Sequence, residues 1–316
     1  MKALYLDENA KLTEVPRPRP AQGEALVRVT TVGICNTDLE IMKGYMNFSG
    51  ILGHEFVGVV ENAATEDLIG KRVVGEINCS CHECEYCRKE MPNHCLNRTV
   101  LGILNRNGAF AEYLTLPEEN LHIVPDSVSD DSAVFAEPLA AAFRITEQLS
   151  IDNLDKIVVL GAGKLGQLIS QVLHQVSRNV VSVGRNQWKL ELLKELGIRT
   201  VHTNEPMERG YADIVVDATG SYDGFNRALE LVRPEGTVIL KTTVTHPTAF
   251  DMSIPVINEV RVMGSRCGPF RPALNALEEG NIIVSPMVTE SYELKDIEKA
   301  LVRASQKDVM KVLVHM

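Results

Sequence analysis

Residues 156–166 read KIVVLGAGKLG. Four apolar residues, 157–160, run into three glycines, Gly161, Gly163 and Gly166. From Lys164 the chain continues as KLGQLISQVLHQV (164–176), with apolar residues at helical spacing. This is a buried strand, a tight turn and a helix. Glycines let the backbone turn sharply and approach a pyrophosphate, and the helix start offers free N–H groups and a positive dipole end. In this setting Gly161, Gly163, Lys164, Leu165 and Gly166 are candidate dinucleotide-binding residues.

The pattern repeats on the C-terminal side. NVVSVGR (179–185) is a second strand, QWKLELLKELG (187–197) a helix stopped by glycine, and ADIVVDATG (212–220) and GTVILKT (236–242) further strands around a helix near 223–232. Alternating strand and helix predicts an α/β fold with a parallel, doubly wound sheet over 139–265. An acid at the end of the second strand favours NAD, through the ribose 2′-hydroxyl; an arginine suits the 2′-phosphate of NADP. Here the strand ends Val183-Gly184-Arg185-Asn186. Arg185, with room left by Gly184, predicts NADP over NAD, NAD remaining possible. A helix at 271–279 and a last strand at 309–315 complete the C-terminal part, 266–316.

Residues 1–138 have a different rhythm. EALVRVTTVGI (24–34), EFVGVVE (55–61), KRVVGE (71–76) and FAEYLTLP (110–117) are short strands separated by Gly, Pro and polar residues. Five of the seven cysteines fall within 78–97. Cys81, Cys84, Cys87 and Cys95 give C-x2-C-x2-C-x7-C, a spacing that surrounds a Zn²⁺ with four thiolates. Four protein ligands leave no open position, so this zinc is structural. Cys79 is a bystander or a fallback ligand.

Composition narrows the function classes. The 316 residues carry a net charge of -10 and no basic run, which excludes an electrostatic footprint for nucleic acid. No apolar run approaches the roughly 18 residues of a transmembrane helix, and no basic amphipathic helix suits a membrane surface. The N-terminus MKALYLDENAKLTEV lacks the apolar stretch of a signal peptide. The expectation is a cytoplasmic protein whose clustered thiols bind metal.

Four dispersed residues mean little singly: Cys35 in GICNTD, His54 and Glu55 in LGHEFVG, and Glu137 in FAEPLA. Taken in order, C-N-T-D, G-H-E, the four-cysteine loop, A-E-P and G-A-G-K-L-G resemble the zinc-dependent medium-chain dehydrogenase/reductase superfamily. The A-E-P-L segment is most similar to its sorbitol and threonine dehydrogenase branch. The resemblance implies a GroES-like β-rich catalytic domain interrupted by a Rossmann domain, with the chain returning to the catalytic domain at its C-terminus. It implies two zinc ions per chain, one catalytic and one structural. Cys35 and His54 would hold the catalytic zinc, with Glu55 and Glu137 as ligands or alternates. Thr37 would contact the substrate oxygen, and Asp38 would orient a ligand imidazole. Ala218 and Thr219 would line the cofactor, and Arg266, in GSRCGPF (264–270), would lie near nicotinamide and substrate. The reaction implied is hydride transfer between NAD(P) and a secondary alcohol or polyol, or the corresponding ketone or aldehyde, in a homodimer or homotetramer. A quinone or enoyl reductase and a non-catalytic cofactor-binding member are the alternatives.

The chain departs from the family pattern in two places. Many relatives have His five residues after the zinc cysteine; here the residue is Glu40, which either takes over the proton relay or is an exposed helix acid. The segment between Cys35 and His54 looks abbreviated, at 18 residues.

Overall fold

The computed structural model describes residues 1–243 and 249–316. They form two compact units, Met1–Glu137 with Phe270–Met316, and Pro138–Pro269. The chain re-enters the first unit at Phe270 rather than at 266. Gly268 explains the shift: a Cβ there would collide with the carbonyl oxygen of Ala140, so this segment lies tightly on a helix of the second unit.

In the second unit the strands Ile157–Leu160, Val180–Gly184, Arg199–His202, Ala212–Asp217, Val232–Leu240 and Arg261–Gly264 form one sheet. All are parallel, and in this numbering their order is 3-2-1-4-5-6. Val158, Leu160, Val181, Val183, Val215 and Val238 are buried in one core cluster that also takes in Ala228, Leu229 and Leu231 of the helix Gly224–Leu231. The order reverses between the first and fourth strands, where a doubly wound sheet opens its ligand crevice beyond the carboxyl ends. The short strand Arg199–His202, which the sequence reading passed over, forms one edge.

In the first unit the strand Glu24–Gly33 is central. It pairs antiparallel with Glu55–Asn62, Tyr113–Pro117 and Lys311–His315. The last strand thus comes from the end of the chain. The strand expected over 110–117 begins only at Tyr113, because residues 108–110 give their N–H groups to the carbonyls of Ile51, Gly53 and Leu52. A hairpin of Lys2–Leu6 with Ala10–Glu14 adds a small sheet that the N-terminal sequence did not announce.

Candidate metal and dinucleotide sites

The register of the central strand assembles the first site. Gly33 lies opposite Glu55 on one side and Leu313 on the other. Two residues on, Cys35 caps the helix Asn36–Met42. Asp38, at the third helical position, accepts the Cys35 N–H at 2.8 Å, and its other oxygen lies 3.0 Å from Nδ1 of His54. One buried carboxylate therefore fixes the helix start and the imidazole together. With Nδ1 committed to Asp38, Nε2 is free to ligate. Cys35, His54 and Glu55 each offer a ligand atom within 4.8 Å of the others, and His54 and Glu55 are buried. Thiolate, imidazole and carboxylate at this spacing fit a zinc ion.

The electrostatics agree. Burial disfavours the His54 imidazolium, but the adjacent Asp38 carboxylate, helped by Cys35, outweighs it and holds the pKa well above the ordinary value. A metal entering here displaces a proton. On the other side, Glu55 forms an ion pair with Lys311 in which both side chains are 1% exposed. The Lys311 ammonium also stands 5.2 Å from the Phe135 ring centroid. Gly33 leaves the space for this pair: a Cβ would come within 2.5 Å of the Glu55 carboxylate and 3.2 Å of the ammonium.

The sulfurs of Cys81, Cys84, Cys87 and Cys95 also lie within 4.8 Å of one another. Cys84 and Cys87 are 3.4 Å apart, as are Cys81 and Cys95, far beyond a disulfide bond of about 2.05 Å. Four sulfurs around a zinc at about 2.3 Å stand about 3.8 Å apart, so the arrangement fits that ion. Backbone N–H groups of Cys87 and Leu96 bring the Cys84 thiol down to about 6, and those of Glu83 and Cys84 lower Cys81. Burial and the neighbouring thiols push Cys87 up to about 11. Cys79 stands outside this group, buried beside Asn120.

In the second unit the glycine turn is built by close approach. Gly161 has φ +102, and a Cβ there would lie 2.5 Å from the carbonyl oxygen of Ala218. A Cβ on Gly166 would collide with the Gly161 carbonyl, whereas one on Gly163 would meet no protein atom within 4 Å. Gly163 thus faces open space at the start of the helix Lys164–Val176, with no side-chain cap on its N–H groups. That combination fits a pyrophosphate. Asp217 organises the adjoining edge. Its Oδ1 accepts the Thr219 N–H at 3.0 Å and the hydroxyls of Thr219 and Thr242 at 2.7 and 3.0 Å. Gly184 does not leave room for a phosphate as expected: it is buried, and a Cβ would approach Ala162 and Leu190 to 2.8 and 3.0 Å, so its bareness serves protein packing, while Arg185 beyond it is exposed.

Comparison with known proteins bears on both sites. Residues 21–126 match the alcohol dehydrogenase GroES-like domain, and residues 165–279 match the zinc-binding dehydrogenase domain. Sorbitol dehydrogenase of Halalkalibacterium halodurans is 30% identical over 99% of both chains. The chain belongs to the zinc-dependent medium-chain dehydrogenase/reductase superfamily. Two crystal structures are similar throughout. A zinc-binding dehydrogenase of Sinorhizobium meliloti 1021 bound to NADP has 27% identity, a TM-score of 0.91 and coverage of 100% and 99% of the two chains. An Escherichia coli CFT073 protein described as a short chain alcohol dehydrogenase, complexed with NADH, has 26% identity, a TM-score of 0.91 and the same coverage. The activity is accordingly NAD(P)-dependent oxidation of alcohols, and neither the reductase nor the non-catalytic reading is favoured.

Within this superfamily member, the residues expected at the metal do not all converge. Cys35, His54 and Glu55 come together; Glu137, in the first turn of the helix Ala136–Gln148, does not join them at that spacing. The Thr37 hydroxyl is 3.7 Å from the Cys35 sulfur. Glu40 is one turn further along the same helix, ion-paired to Lys43 at 2.9 Å. Arg266 is exposed, and its carbonyl accepts from Lys241 at 3.1 Å. Lys311 and Asp217 were missed by sequence reasoning. A lysine opening the apolar run VLV of the strand KVLVH was the one available sign of the first.

Proposed function

We propose that this protein is an NADP-preferring dehydrogenase of secondary alcohols or polyols, with a catalytic zinc held by Cys35 and His54 and a structural zinc held by the four-cysteine loop. The observation that carries this reading is the convergence of the Cys35, His54 and Glu55 ligand atoms, with the Asp38 carboxylate fixing Cys35 and His54 from behind. Cys35 and His54 would hold the ion, with Glu55 and Glu137 as ligands or alternates. A zinc in this position supplies a Lewis acid that lowers the pKa of an alcohol. Asp38 holds the His54 ring in the tautomer that leaves Nε2 free. The Thr37 hydroxyl, beside the Cys35 sulfur, takes up the alcohol proton. Glu40 lies on the same helix face, three residues on, and is the acceptor for its onward transfer. Gly161, Gly163 and Gly166 admit the pyrophosphate; Lys164, Leu165, Ala218 and Thr219 border it. Arg266 is assigned to the nicotinamide and substrate end.

NADP preference rests on Arg185 at the end of the second strand, with no acid in the 2′-hydroxyl position. A guanidinium pairs with a 2′-phosphate through its planar fork. We further assign a homodimer or homotetramer built on the edge strand Arg261–Gly264, where Val262 is exposed, as are Met252, Val256 and Ile257 earlier in the chain. An unpaired apolar sheet edge of this kind pairs readily across a two-fold axis. Seven free thiols fit a reducing cytoplasm, and no helix among the described residues is long and apolar enough to cross a membrane.

The test is a panel of secondary alcohols and polyols scored with NADP and NAD. Turnover is expected with at least one polyol or secondary alcohol, at a higher kcat/KM with NADP. Arg185→Ala is expected to lower the NADP value by roughly ten- to a hundredfold, the loss of a charged hydrogen bond, and to leave NAD nearly unchanged. Equal or better turnover with NAD would remove the NADP assignment, and no turnover on any alcohol would remove the enzymatic one.

A further inference from the structure

Arg185 does not stand alone at its strand end. The neighbouring edge strand Arg199–His202 pairs with Val180–Gly184 only as far as Gly184 opposite His202. One further backbone bond follows, from the Thr203 N–H to the Gly184 carbonyl at 2.9 Å. The next group along, the Arg185 carbonyl, is taken by a side chain instead: Nε2 of His202 lies 3.0 Å from it. The other ring nitrogen, Nδ1, accepts the Asn204 N–H at 3.2 Å. An acceptor at Nδ1 places the proton on Nε2, so the ring donates to Arg185. The turn beneath it is closed in both directions. The His202 N–H donates to the Glu205 carboxylate at 2.9 Å, and the Glu205 N–H donates to the His202 carbonyl at 2.8 Å.

We infer that His202 is a positioning residue for cofactor choice: it fixes the backbone of Arg185 so that the guanidinium is presented to a phosphate on the ribose 2′-position. This rests on the NADP reading above. The physical reason is entropic. The arginine side chain is rich in rotamers, and an unanchored loop backbone would add its own freedom to that of the side chain. Gly184, immediately before it, has no side chain to restrict the chain, because Ala162 and Leu190 occupy the space of a Cβ. The imidazole supplies the restraint that the glycine cannot. The Glu205 carboxylate, the nearest acid in this turn, is engaged by the His202 N–H. Neither His202 nor its turn follows the glycine motif closely enough in sequence to be read as part of the nucleotide site.

The experiment is calorimetric binding of 2′,5′-ADP and of 5′-AMP to the intact protein. These probes share adenosine and a 5′-phosphate and differ in the 2′-phosphate. Wild type is expected to bind 2′,5′-ADP more tightly. His202→Ala is expected to weaken 2′,5′-ADP by about five- to tenfold, the scale of one lost hydrogen bond, and to change 5′-AMP by less than about twofold. His202→Gln, whose amide can still donate to the Arg185 carbonyl, is expected to restore most of the difference. Arg185→Ala is expected to abolish it. Undiminished 2′,5′-ADP binding by His202→Ala, with Arg185→Ala impaired, would overturn the role of His202 and leave the NADP reading intact. Equal weakening of both probes would show a merely structural residue and overturn it as well. If wild type itself did not prefer 2′,5′-ADP, the NADP reading would fall and His202 with it.

Discussion

His54→Ala is expected to cut kcat/KM for alcohol oxidation by on the order of a thousandfold, and to lower thermal stability as well, because it takes the imidazole partner from the buried Asp38 carboxylate. Loss of the Lewis acid removes several kcal/mol of charge stabilisation, and about 1.4 kcal/mol corresponds to each factor of ten. The imidazole is buried, and Asp38 fixes its ring from Nδ1, so no exposed neighbour can replace it. Asp38→Asn separates orientation from ligation. It keeps the shape and removes the charge, and is expected to weaken metal affinity by about ten- to a hundredfold. Titration with a competing chelator reads this directly. If His54→Ala retained turnover within about tenfold of wild type, the site would not be the catalytic one.

The second large effect is on stability. Lys311→Met is expected to lower the unfolding free energy by roughly 3–5 kcal/mol, because it leaves the Glu55 carboxylate buried without its partner. Lys311 and Glu55 are both 1% exposed, and Lys311 comes from the last strand of the chain while Glu55 opens a strand near its start. The pair therefore bridges a long sequence interval across the central strand. Removing both charges, as Glu55→Gln with Lys311→Met, is expected to recover much of the loss, since a buried ion pair replaced as a unit is often close to neutral. Denaturant unfolding of the single and double variants measures the coupling. Additive losses would mean that the two groups do not stabilise each other.

Lys311 also shows where the sequence stops being informative. The glycine turn, the following helix and the alternation after it are local patterns, and each was legible: the helix expected at 164–176 is found as Lys164–Val176. The four-cysteine loop was legible for the same reason, because its ligands lie within fifteen residues, 81–95. The dispersed set was not legible from spacing. Cys35 and His54 meet only because antiparallel pairing puts Gly33 opposite Glu55, and that register is a property of the sheet. The resemblance to the superfamily supplied those residues in advance. It gave no role to Lys311, whose partner is 256 residues away, or to Asp217, which ties Thr219 to Thr242. Glu137 illustrates the reverse: a motif assignment carries no distance, and the structure leaves this residue outside the trio.

The most direct test is zinc per chain, by elemental analysis of protein purified without chelator or added metal, for wild type and for a Cys35→Ala, His54→Ala double variant. Two zinc ions are expected in wild type and one in the variant, the remaining ion held by Cys81, Cys84, Cys87 and Cys95. The same count in both proteins, whether one or two, would contradict a catalytic zinc at Cys35 and His54.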